Sequence, residues 1–151
     1  HGDPAMVNLA RPAPAVRSEN TVIVGVRDLD PAEREHAQLF GLRMFTMREI
    51  DERGLRDVMR EAIAIATDGT VGFHVSCDAD WIDPSEAPGV GTPVRGGATY
   101  REGHLAMEMV ADTGKLVSMD VVEINPVLDE MNRTADLCVG LATSAFGLRI
   151  L

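Results

Sequence analysis

The sequence is short of positive charge, of cysteine and of long apolar runs, and each shortage excludes something. Lys and Arg together number 14 against 24 Asp and Glu, giving a formal net charge of −10 and a pI near 4.7. Such a surface repels phosphates, which argues against nucleic acid or an anionic membrane as a partner and favours a cationic substrate or a bound metal. The two cysteines, Cys77 and Cys138, stand in apolar surroundings without C-x-x-C spacing. They read as buried free thiols in a reducing compartment, the cytoplasm, rather than as a disulfide. No apolar run reaches the length that spans a bilayer. No loop carries acids at EF-hand spacing, which disfavours a calcium-binding module. The chain starts at His1, with neither an initiating Met nor a basic-plus-apolar leader, and reads as a fragment or a processed piece.

What is there suits one globular unit: 151 residues, 45% of them hydrophobic, enough for a core and too few for two comfortable domains. Residues 1–20, with Pro4, Pro12 and Pro14, read as a loop or a cut edge. Thr21 to Val26 is a continuous apolar run, the pattern of a parallel strand covered on both faces. Asp30-Pro31-Ala32-Glu33 then combines an N-cap, a proline at the first helical position and a capping-box acid, predicting a helix to about Phe40 with Gly41 as its stop. Met44 to Met47 suits a second short strand. Leu55, Val58, Met59, Ala62, Ile63 and Ala66 fall at helical spacing.

Val71, Phe73, Val75 and Cys77 alternate with Gly72, His74 and Ser76, predicting a strand that runs into Asp78. Asp78 and Asp80 are two apart and project to one side, so both carboxylates can reach one point, where a hard cation would relieve their repulsion. The plain alternative is a pair of solvated acids at a loop edge. Residues 86–97 form a long loop rich in Pro and Gly, Thr99-x-x-Glu102 opens a helix to about Gly114, Lys115 to Pro126 contains another strand, and a last helix runs from about Asn132 to Phe146. Strands alternating with helices predict an α/β fold, a parallel sheet with helices on both faces and ligands at the carboxyl ends of the strands. Of the remaining histidines, His36 on a helix, His74 on the strand face opposite Asp78, and His104 in the first turns of a capped helix read as structural or solvated.

Four stretches carry a resemblance: Ser76 to Pro84, Gly91-Thr92-Pro93-Val94 with Gly96-Gly97, Thr99-Tyr100-Arg101-Glu102-Gly103, and Val122-Glu123-Ile124-Asn125-Pro126. Together they resemble the C-terminal half of the arginase, or ureohydrolase, family, from about Thr21 to the end. The resemblance implies that residues 1–151 are the C-terminal portion of a single three-layer α/β/α domain, incomplete on its N-terminal side, with two manganese ions at the strand ends. It implies that Asp78 bridges both metals, that Asp80 binds one, that Glu123 holds the substrate guanidinium, that Thr92 lies in the substrate pocket, and that Asp30 meets the α-amino group. His1 with Gly2 resembles the family's active-site His-Gly, where the imidazole shuttles a proton or contacts substrate; the alternative is a terminal residue set by where the fragment starts.

The implied reaction is manganese-dependent hydrolysis of L-arginine to L-ornithine and urea, in which a metal-bridging hydroxide attacks the guanidinium carbon and His1 is the candidate donor to the departing amine. The rivals are an agmatinase or other guanidino ureohydrolase, and a non-catalytic piece that supplies only subunit contacts. Arg101 and Glu102 resemble a pair used between subunits, implying a homo-oligomer, trimer or hexamer; a helix cap plus a surface charge is the other reading. The family's remaining ligands, a His and a D-x-H-x-D run, have no match in this chain. Alone, it is expected to bind manganese weakly, to hydrolyse arginine poorly or not at all, and to associate through the cut edge of its sheet.

Overall fold

The computed structural model describes residues 3–9 and 16–149. Its elements are α1 (Pro4–Val7), β1 (Val22–Val26), α2 (Pro31–Phe40), β2 (Arg43–Thr46), α3 (Met47–Arg53), α4 (Leu55–Thr67), β3 (Phe73–Asp78), α5 (Tyr100–Asp112), β4 (Leu116–Val122) and α6 (Arg133–Ala145), with 3-10 turns at Ser18–Asn20 and Ala79–Trp81. β1 and β2 pair in parallel across α2, and β3 and β4 pair in parallel across α5. Both crossovers are the β-α-β unit that the alternation of patterns predicts.

Local chemistry sets the boundaries. The Asp30 carboxylate accepts the Glu33 N–H at 2.8 Å while Glu33 accepts the Asp30 N–H at 2.9 Å, Pro31 follows, and Gly41 closes α2 in the left-handed region. Thr99 and Glu102 make the same reciprocal cap on α5. Helix α6 is capped differently: Asn132 makes no side-chain cap bond, and Asp129 accepts the N–H groups of Thr134 and Ala135 at 3.0–3.2 Å. The strand predicted from Val71 begins at Phe73, and Val71 is fully exposed.

Two apolar clusters hold the layers together. Phe45, Ile50, Val58, Met59 and Ala106 pack with Val22, Val24, Phe73 and Val75, so the two strand pairs share a core beneath α3, α4 and α5. Cys77, Ile82, Met107, Leu137 and Leu141 pack where α5 and α6 lie on β3 and β4. Both cysteines are free and buried, as expected, and burial pushes the Cys77 thiol up to about 12 and the Cys138 thiol up to about 11.

The strands are parallel and flanked by helices, as the α/β reading expects, and the sheet differs in being divided. Among the described residues β1 pairs only with β2 and β3 only with β4, so the parallel layout comes as two separate pairs, each with open edges. On β3 and β4, α5 and α6 pack on the Val75 and Cys77 side. On the other side His74, Ser76, Ser118 and Asp120 are exposed and bond one another, with His74 Nδ1 2.8 Å from Ser118 Oγ and Ser76 Oγ donating to Asp120 at 2.6 Å. The even-numbered alternation of β3 puts His74 on the same face as Asp78, not the opposite one. Ile23 on β1 is 40% exposed. His104 is buried, with Nδ1 2.9 Å from Ser144 Oγ, and burial lowers its pKa; His36 stacks on Phe40 at an exposed position.

Candidate active site

β3 delivers Asp78 at its last residue, and Asp80 follows in the 3-10 turn. Asp78 Oδ1 accepts the Asp80 N–H at 3.0 Å, which caps the turn and fixes the two carboxylates on a stiff corner. Asp80 Oδ2 accepts the Thr92 hydroxyl at 2.8 Å. One oxygen of each carboxylate is thereby used, and the two carboxylates also interact side chain to side chain. Burial raises the Asp78 pKa above the usual carboxylate range; the Asp80 N–H works against this, and the charges of Asp80 and Glu123 add to it.

β4 brings Glu123 to the same end. Its register places Val122 beside Asp78, so the next residue leaves the sheet next to the acids. Among the described residues Glu123 is one of three non-glycine residues with positive φ, at 65°. That turn sends the chain back so that Ile124 bridges Val90 and Asn125 N–H donates to Gly89 O at 2.8 Å. The loop bearing Thr92 is thus tied to the residue after Glu123, and a Cβ at Gly91 would sit 3.9 Å from Glu123 Oε2.

Asp83 shapes the same loop. Its Oδ1 accepts Ser85 N at 3.0 Å and Ser85 Oγ at 2.7 Å, and its Oδ2 accepts Gly96 N at 2.8 Å and Gly97 N at 3.2 Å. A side chain at Gly97 would meet backbone at 2.6 Å from both Asp83 N and Trp81 O, so only glycine fits there. The bonds from Ser85, assisted by those from Gly96 and Gly97, hold the Asp83 carboxyl down at about 2, below its ordinary 3.8. A depressed carboxylate stabilises the fold above the unfolded value and stops doing so as pH falls through the folded one, here between about 4 and 2. Asp83→Asn is therefore expected to lower stability near pH 6 by about 1–2 kcal/mol after allowance for solvent screening. The difference between the two melting temperatures should close as the pH of the melt is lowered to 2.5; a constant difference would show that the charge is not what matters.

The sequence-predicted residues fall into three groups. Asp78, Asp80, Thr92 and Glu123 come together. Asp30 does not join them among the described residues: it is exposed and its carboxylate caps α2. His1, with Gly2, lies outside the described residues. Two residues that the sequence reading did not single out for the site belong beside it, Asp83 and Arg27; Arg27 follows β1 and donates to the carbonyls of Asp80 and Val94. The Arg27 bond to Val94 crosses 67 positions and leaves no local signature.

Paired carboxylate oxygens, on acids that raise one another's cost of ionisation, suit manganese in kind. They fall short in number, since each such ion takes about five or six ligands. Among the described residues no group of three or more His, Cys, Asp or Glu could hold a metal.

Comparison with known proteins agrees with this geometry. The Arginase family model matches residues 1–147. The chain is 49% identical to an arginase of Brevibacillus brevis over 151 residues, which is 100% of this chain and 51% of that protein. The crystal structure of arginase from Bacillus subtilis superposes with a TM-score of 0.94 at 44% identity, covering 100% of this chain and 54% of that one. The native structure of arginase from Bacillus caldovelox gives a TM-score of 0.95 at 46% identity, covering 100% and 50%. The chain thus spans about half the length of the curated relatives it matches. With its parallel strand pairs, its acids gathered at their carboxyl ends and a match over almost its whole length, it belongs to the arginase family.

Proposed function

We propose that this chain is the C-terminal portion of the single catalytic domain of a manganese-dependent arginase, which in its intact form hydrolyses L-arginine to L-ornithine and urea. The observation that carries this reading is the meeting of Asp78, Asp80, Thr92 and Glu123 at the ends of two adjacent parallel strands. Asp78 and Asp80 would hold the metal through their carboxylates. Two manganese ions, when bound, lower the pKa of water so that hydroxide is available near neutrality.

The chain's own residues place the substrate. Glu123 accepts hydrogen bonds from the guanidinium, a charge-assisted contact that sets the carbon against the acids. Thr92, at the exposed lip beside Asp80, meets the amino-acid end, and Asp30 reaches the α-amino group with the oxygen its cap does not use. The carbon–nitrogen bond on the ornithine side breaks, and His1 protonates the leaving amine. The remaining ligands come from outside these 151 residues. The intact enzyme acts in the cytoplasm as a homo-oligomer, a trimer or hexamer whose subunits meet at Arg101 and Glu102. None of the helices described is long and apolar enough to cross a membrane.

The test is turnover by the intact enzyme supplied with manganese. Urea and ornithine should form from L-arginine with kcat/KM at least roughly 100-fold above that for agmatine, since an acid placed for the α-amino group is left unpaired by agmatine. Equal or faster turnover of agmatine would replace this reading with an agmatinase. Absence of urea from both would leave the chain a non-catalytic component.

A further inference from the structure

The loop that carries Thr92 has little apolar anchorage: residues 91–93, 95 and 96 are all exposed. Its position is instead fixed by polar ties, of which two lie beyond the Thr92 bond to Asp80. The Asp83 carboxylate takes Gly96 and Gly97. The guanidinium of Arg27 takes Val94, donating to its carbonyl from Nε at 3.1 Å and from Nη2 at 2.8 Å. The same Nη2 also donates to the Asp80 carbonyl at 2.5 Å.

These bonds close a ring. Asp80 binds Arg27 through its backbone and Thr92 through its side chain, and Thr92 is two residues from Val94, which Arg27 holds. The separation of the Asp80 carboxylate from the Thr92 hydroxyl is therefore set from both sides. The ring also spans the two strand pairs, because Arg27 follows β1 while Asp80 follows β3, and no ladder joins those strands among the described residues.

Shape makes the arrangement more specific. The side chain of Arg27 makes no ion pair among the described residues; its hydrogen bonds go to carbonyls. A planar fork is needed to reach two carbonyls in one plane, which a lysine ammonium cannot reproduce.

We propose that Arg27 is a positioning residue: it clamps the Thr92–Val94 loop onto the metal-bearing corner and so fixes where the amino-acid end of the substrate rests. The kinetic part of this inference rests on the arginase reading above; the structural part does not. In the intact enzyme, Arg27→Ala is expected to speed amide hydrogen exchange across residues 91–97 at least about tenfold while residues 137–141 of α6 keep their protection. KM for L-arginine should rise about tenfold or more, kcat should change less than about threefold, and bound manganese should stay at the wild-type level. Arg27→Lys should fall between the two, and it replaces Arg27→Ala as the deciding variant if α6 also loses protection.

Unchanged exchange in 91–97 would overturn the clamp. A fall in kcat at constant KM, or loss of metal, would overturn its role in placing substrate. A wild-type enzyme that leaves arginine untouched would refute the arginase reading alone, and the exchange measurement would still decide the clamp.

Discussion

Asp78→Ala in the intact enzyme is expected to cut arginine turnover by roughly a thousandfold or more and to lower the manganese retained after dialysis, because the change removes the ligand proposed to touch both ions. The same change should not unfold the chain. Asp78 is partly buried at the end of β3, where it contributes a turn-capping bond to Asp80 N–H and carries a carboxylate that its surroundings disfavour. Its pKa is raised by burial and by the neighbouring acids, so ionisation costs stability: the protonated form is fully tolerated below the ordinary value of 3.8, and stability is lost as pH rises through the raised folded value. Asp78→Asn keeps an acceptor for the turn and removes the charge. It should therefore melt higher than wild type when both are stripped of metal above pH 5, and lower than wild type when manganese is added. If metal-free Asp78→Asn melts below wild type across that range, the strain assigned to this carboxylate is wrong.

How much of this could be read before the structure depended on whether the forces were local. Helices α2 and α5 were legible because their capping boxes lie within four residues, Asp30 to Glu33 and Thr99 to Glu102. Helix α3 carries the same signal, Thr46 with Glu49, but its seven residues bury only Ile50, too few to show a period. The alternation in β3 was legible as well and ran two residues too far, since Gly72 is pressed against Lys115 O and Val117 before the ladder settles. The meeting of Asp78, Asp80 and Glu123 followed from parallel strands ending together. The open polar face of β3 and β4 did not, because alternation says which residues share a side and not which side has a helix on it. Arg27 and Asp83 were equally hidden: one acts on carbonyls and the other on amides, groups that every residue has.

Glu123 joins an unfavourable backbone to a proposed substrate contact, and the two can be separated. A non-glycine residue in the left-handed region costs about 1–2 kcal/mol, least for asparagine, whose short side chain bonds locally. Here the strained turn is what returns Ile124 to Val90 and lets Asn125 hold Gly89, so the conformation is imposed by the loop that carries Thr92. Glu123→Asn should leave thermal stability unchanged or raise it by up to about 1 kcal/mol, while leaving a bound guanidinium without its anion. Truncating one partner of a charge-assisted pair typically costs about 2–5 kcal/mol, so kcat/KM for L-arginine should fall roughly a hundred- to a thousandfold with manganese content unchanged. Glu123→Gln, which keeps the length and loses the charge, should lose nearly as much activity and gain no stability. If Glu123→Asn were instead markedly destabilised, with activity falling only in proportion, the residue would be holding the turn and not the substrate.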